Sequence, residues 1–186
     1  MAGRKQGVIF VKKRVVILSL GLLLSLAAAV VYADSSDIAR HPSCRYCGMD
    51  RQMHAHSRVL IVYDNGTEVG TCSIHCAAID LAINIDKSPA TIYVGDLQSK
   101  KLIDSGKAFW VVGGSKAGVM TGRAKWAFET RSDANKFISD HGGATAAFDD
   151  AIKAAYEDMY TDTKMIQEKR KMKRMKMMEN KQENKH

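Results

Sequence analysis

RVLIVYDNGTEVGTCSIHC, residues 58–76, decides how the rest of the chain is read. Residues 58–63 are rich in β-formers, Asp64-Asn65-Gly66 is a turn whose glycine tolerates positive φ, and residues 67–72 lead back, so the stretch predicts a β-hairpin. Ser73 can cap the helix that follows, in which Ile74, Ala77, Ala78, Leu81 and Ala82 recur at helical spacing as the inward face. Lys87-Ser88-Pro89 ends that helix. The unit therefore sets Cys72 and Cys76 on either side of a helix start, with their side chains near one face, and His75 on an exposed first turn.

Downstream the pattern partly repeats. Residues 91–94, 101–103 and 108–112 read as strands, the second as an edge, and residues 113–122 form a glycine-rich loop before a strand at 124–129. Ser132 or Asp133 opens a helix with Ala134, Phe137 and Ile138 inward, closed by Gly142-Gly143. A short strand at 144–147 precedes a last helix from about Asp149. Hairpin, helix and strand in each half imply an α+β fold built from duplicated ββα-type modules, with a long C-terminal helix. The expected organisation is a domain over residues 44–148 followed by a helix over 149–186.

Upstream, Arg4, Lys5, Lys12, Lys13 and Arg14 form a basic segment before an uncharged apolar run at residues 15–31. The run ends in Val31-Tyr32-Ala33, small residues suited to a signal peptidase, so residues 1–33 read as a secretory signal cleaved before Asp34. The run is also just long enough for an uncleaved membrane anchor. Either reading places the rest of the chain in the periplasm or another extracytoplasmic space. Residues 34–43 are polar and read as a linker. The formal net charge of +8 resides in the two ends: residues 164–186 hold nine Lys and Arg against three Glu, and the body between is mildly acidic. That distribution argues against a nucleic-acid partner. The tail also carries Met165, Met172, Met175, Met177 and Met178 with almost no Leu, Ile or Val, which reads as a solvated helix. A soft-metal tail and a contact with an anionic membrane surface are the alternatives.

The chemistry concentrates in CRYCGMDRQMHAH, residues 44–56, and in Cys72-x3-Cys76. Four cysteines in an exported chain are compatible with two disulfides. Paired CxxC and CxxxC spacings are equally compatible with a four-sulfur metal site. Met49 tilts the chemistry, because a thioether is a soft neutral donor that Cu(I) accepts and borderline cations use little. Gly48 permits a tight turn that aims Cys47 and Met49 at one point. Met53, His54 and His56 add donors nearby. Met120 lies in the glycine loop, where a methionine has no strand or helix face to fill. Candidate metal ligands are Cys44, Cys47, Met49, Cys72, Cys76 and Met120.

Cys47-Gly48-Met49, the hairpin with Cys72-Ser73-Ile74-His75-Cys76 leading a helix, Met120 in its loop, Trp126-Ala127-Phe128, and Asp133-Ala134 through Phe137 to Gly142-Gly143 together resemble the NosL family over residues 44–148. The resemblance implies an exported Cu(I)-binding protein that works with copper transport machinery and a cuproenzyme acceptor such as nitrous oxide reductase. It also implies a fold similar to part of organomercurial lyase. Two features depart from the family pattern: no lipid-bearing cysteine follows the apolar run directly, and the Cys72/Cys76 pair and the basic tail are not general.

Two other classes compete. A thiol-disulfide or lyase-like enzyme would need a cysteine pair with a positioned acid, and Asp50 is the only acid near the CxxC. A thioredoxin-like CxxC opens a helix after a strand, whereas Cys44 follows a polar segment. A disulfide-stapled binding module accounts for the cysteines but gives Met49 and Met120 no role.

Overall fold

The 58–76 stretch forms the expected hairpin: β1 (Val59–Tyr63) pairs antiparallel with β2 (Glu68–Thr71), Val59 opposite Thr71 and Val62 opposite Glu68. The turn is closed by the Gly66 N–H on the Tyr63 carbonyl and the Thr67 N–H on Asn65 Oδ1. The computed structural model describes residues 36–183, so the expected signal segment lies outside the described residues. No helix among the described residues is long and apolar enough to cross a membrane.

Helix α2 (Ile74–Ile83) follows the hairpin, and β3 (Pro89–Gly95) then pairs antiparallel with β1 on the side away from β2. An edge strand, β4 (Leu102–Asp104), completes a four-stranded sheet of order β2-β1-β3-β4. The second half repeats the plan. Strands β5 (Phe109–Val112) and β6 (Lys125–Phe128) form a hairpin, helix α3 (Arg131–His141) follows, and β7 (Ala144–Ala146) joins β5 to give the order β6-β5-β7. In both sheets the third strand lies against the first strand of the hairpin, so the duplication inferred from sequence is present as topology. Thr130, not Ser132 or Asp133, caps α3, its hydroxyl accepting from the Asp133 N–H at 3.1 Å.

The two modules share a core. Val59, Ile61, Tyr63 and Val94 of the first sheet meet Ile74, Ala77 and Ala78 of α2, Trp110 and Ala127 of the second sheet, and Ala151 and Ala155 of the last helix, α4 (Phe148–Glu183). Alanines at that crossing let α4 lie close against the strands. The first turns of α4 therefore belong to the body, although the helix was expected to begin outside it. A second cluster, Val111, Trp126, Phe128, Ala134 and Phe137, fills the space beneath α3. Ala82 is exposed, against its expected inward place.

The described part of the expected linker at residues 34–43, from Ser36 on, is not a linker. Ser36–Arg40 is a short helix, α1, and its Asp37 is buried as the anion between two equally buried arginines, Arg51 and Arg58. Asp37 Oδ2 accepts from Arg51 Nη2 at 2.8 Å and from Arg58 Nε at 3.0 Å. Arg51 gives its remaining N–H groups to the carbonyls of Asp37, His41, Val59 and Thr71. Gly70 makes room for this cation, because a Cβ there would sit 2.8 Å from the Arg51 guanidinium.

Candidate metal centre

Residues 43–50 form a closed loop whose ends, Ser43 and Asp50, make an isolated antiparallel bridge. Inside it the Cys44 N–H donates to the Met49 carbonyl at 2.8 Å and the Gly48 N–H to the Cys44 carbonyl at 3.0 Å. Gly48 has φ +73°, the left-handed conformation that turns Met49 back toward the cysteines. The loop is fastened to the hairpin by the Arg45 N–H on the Gly70 carbonyl. Tyr46 anchors it to α2: its hydroxyl and that of Tyr63 both donate to the buried Asp80 carboxylate. Burial, reinforced by that carboxylate, pushes both phenols up, so they stay donors.

Docking this loop beside the start of α2 brings all four cysteines together. Their Sγ atoms lie within 4.8 Å of one another, Cys47 to Cys72 at 3.4 Å and Cys72 to Cys76 at 3.8 Å, and all four are free thiols. A tetrahedral ion with metal–sulfur bonds of about 2.3 Å needs sulfurs about 3.8 Å apart, near the spacing of the Cys47–Cys72 and Cys72–Cys76 pairs. Cys44, Cys72 and Cys76 form a buried floor, and Cys47 is the half-exposed rim. Met49 and Met120 pack against the cluster with Tyr46 and Val119. All six residues singled out from the sequence thus meet at one place, from three chain segments.

The thiols titrate as one group. Hydrogen bonds from Cys47, then Cys72 and Cys76, hold Cys44 far below the usual thiol value. For Cys47 the bond with Cys44 acts upward, but those from Cys72 and Cys76 outweigh it and bring it to about 7. Cys72 and Cys76 are pushed up, chiefly by their bonds with Cys44 and then Cys47. Near neutral pH the cluster already holds thiolate at its Cys44–Cys47 side, and a metal ion displaces the remaining protons.

Met120 reaches the cluster at a cost. It has φ 60°, where a non-glycine residue is strained by about 1 kcal/mol or more. Helix α4 holds its loop in place. Asp162 Oδ1 accepts from the Gly122 N–H at 2.8 Å, and Asp158 takes Lys125 Nζ at 2.6 Å and Arg123 Nε at 2.8 Å. Two turns further on, Arg170 Nη2 donates to the Cys47 carbonyl at 3.3 Å. One helix thus steadies the donor loops of both modules.

Burial raises the Asp158 carboxyl, but the donors from Arg123 and Lys125 prevail and hold it below the ordinary carboxylate range. A lowered folded value contributes stability above the unfolded pKa, about 3.9, that disappears as pH falls through the folded value. Urea midpoints for the wild type and Asp158→Asn should therefore differ at pH 6 and begin to converge as the pH falls below about 4. A gap as wide at pH 2 as at pH 6 would refute this.

The other sequence candidates lie elsewhere. Met53 is 76% exposed, and His54 and His56 form a tilted pair whose second ring rests on Trp126, outside the sulfur cluster. His75, expected on an exposed turn, is buried, its Nδ1 3.5 Å from the buried Asp162 Oδ2. Burial lowers its pKa against the pull of that carboxylate. Asp50 Oδ1 accepts from the Met53 N–H. Sequence reasoning missed Asp80, Asp158, Asp162 and Arg170. Only Asp80 left a signal, a lone acid in the apolar helix IHCAAIDLAI.

Fold and site together define an α+β domain built to gather soft sulfur donors at the meeting of two repeated modules. A profile of the NosL family matches residues 35–156, most of the chain, and the chain belongs to that family. The match takes in α1, in keeping with the burial of Asp37. The crystal structure of the copper chaperone NosL from Shewanella denitrificans is similar over 57% of this chain and 87% of that one, with 23% identity and a TM-score of 0.47. No curated protein matches.

Proposed function

We propose that the protein binds Cu(I) outside the cytoplasm and hands it by ligand exchange to a cuproenzyme, with nitrous oxide reductase as the acceptor the family suggests. The observation that carries this reading is the packing of two thioethers, Met49 and Met120, against four thiols. Four thiolates alone would suit Zn(II), whereas adding neutral soft donors favours Cu(I). The half-exposed Cys47 rim provides the route: an acceptor ligand approaches there, bonds to the ion, and Cys47 is the first sulfur released while the buried floor still holds. Copper remains Cu(I) throughout, so no electron donor is needed, and binding and transfer replace catalysis.

The reduced protein, titrated against a chromophoric Cu(I) chelator, tests this. Met49→Leu with Met120→Leu should weaken Cu(I) by about tenfold or more, roughly 1.4 kcal/mol, while leaving Zn(II) affinity unchanged. Equal losses for both ions, or none for Cu(I), would point to a zinc tetrathiolate. Loaded protein should also metallate apo nitrous oxide reductase faster than the chelator complex does.

A further inference from the structure

The loop that carries Cys44 and Cys47 also forms one wall of a cleft that metal binding leaves unused. The cleft has a volume of about 710 Å³, and its other walls are β2 and the C-terminal end of α2. That is far more room than an ion needs.

Strand β2 is an edge of the first sheet. The Tyr63 N–H donates to the Thr67 carbonyl, and Val62 lies opposite Glu68. The alternation of an antiparallel ladder then turns the Glu68 N–H and C=O away from β1, toward the cleft that Glu68 lines. Further along the same edge the Gly70 carbonyl is taken by the Arg45 N–H. A pairing thus begins at Gly70 and stops short of Glu68, and an open stretch of edge backbone is a template for another extended chain.

The side chains around the opening define what kind of chain fits. Both carboxylates of the lining are already answered: Glu68 lies between Arg40 and His41, and Asp80 accepts from the Tyr46 and Tyr63 hydroxyls. Two cations of the lining are not. Arg45 is exposed, Lys87 Nζ donates only to Asn84 Oδ1, and neither has a carboxylate partner among the described residues. Ile83, on the α2 wall, is 65% exposed, an apolar side chain left without cover.

We propose that this cleft docks an extended segment of a partner protein, rich in acidic and apolar residues, which adds to β2 as a further strand. Arg45 and Lys87 meet its carboxylates, Ile83 covers an apolar side chain, and the Glu68 backbone bonds its main chain. Cys44 also lines the cleft, so docking sets the partner against the metal-holding loop. That last consequence rests on the function proposed above, whereas the docking does not.

The probe is a short fluorescent peptide of alternating aspartate and valine, added to the reduced, metal-free full chain and followed by anisotropy. It should bind, more weakly as salt is raised, and the counterpart with lysine for aspartate should not. Hydrogen exchange at the Glu68 amide should slow in the complex. Arg45→Glu with Lys87→Glu should weaken binding by about tenfold or more. Glu68→Pro removes an N–H that β1 does not use, a change an edge strand tolerates, and should bind about threefold or more weakly than Glu68→Ala. No binding, equal binding of the lysine peptide, or an unprotected Glu68 amide would overturn the proposal, the last without recourse to any variant. Peptide binding with no Cu(I) binding would leave the docking site standing and remove the copper reading; Cu(I) binding with no peptide binding would do the reverse.

Discussion

Cys47→Ser is expected to leave the protein folded and to lower Cu(I) affinity by more than about 100-fold, the upper range for loss of an outer-shell partner alone. Cys47 is the one partly exposed thiol of the cluster, so the change opens no cavity in the core. A serine hydroxyl stays protonated at neutral pH and is a hard donor, so the ion loses a sulfur whose pKa its neighbours Cys72 and Cys76 draw down to about 7. Substitutions at Cys44, Cys72 or Cys76 are less informative because those side chains are also packing. Chelator competition gives the affinity and a urea midpoint run alongside checks the fold. Unchanged affinity would remove Cys47 from the site and with it the exchange route.

The second large effect concerns stability. Asp37→Ala should cost about 3–5 kcal/mol, because it leaves the buried Arg51 guanidinium without its anion and takes from Arg58 two acceptor oxygens. Arg51 and Arg58 are 0% and 1% exposed, and water cannot reach them to compensate. Burial already lowers the Arg51 pKa against the upward pull of Asp37, so the site depends on that carboxylate. Asp37→Asn keeps the shape and one acceptor oxygen and should lose less, which separates charge from shape. Because Arg51 directly follows the Ser43–Asp50 bridge, the alanine variant should also loosen the Cys44–Cys47 loop and weaken metal binding. A urea midpoint within about 0.5 kcal/mol of wild type, the range for ordinary surface substitutions, would show that α1 is dispensable.

Much of this was legible because it was local. The hairpin, the placement of Cys72 and Cys76 at a helix start, and the tight turn at Gly48 follow from spacing and backbone preference. Met120 stood out because a glycine loop gave it no face to fill. What stayed hidden depends on pairs distant in sequence. Asp37 looked like linker because its partners lie 14 and 21 residues away. His75 looked exposed because the element that covers it, α4, lies about half the chain further on. Arg170 and Cys47 are 123 residues apart, and no periodicity announces such a meeting.

Helix α4 touches the Met120 loop through Asp162 and the Cys47 carbonyl through Arg170, about 12 Å of axis apart. An unbroken helix has a fixed rise and rotation, so it works as a ruler laid across the seam of the duplicated fold. The spacing between the thioether contributed by one repeat and the thiols contributed by the other is then set by counting residues in a third element, and the two repeats can drift in sequence without losing the gauge between them.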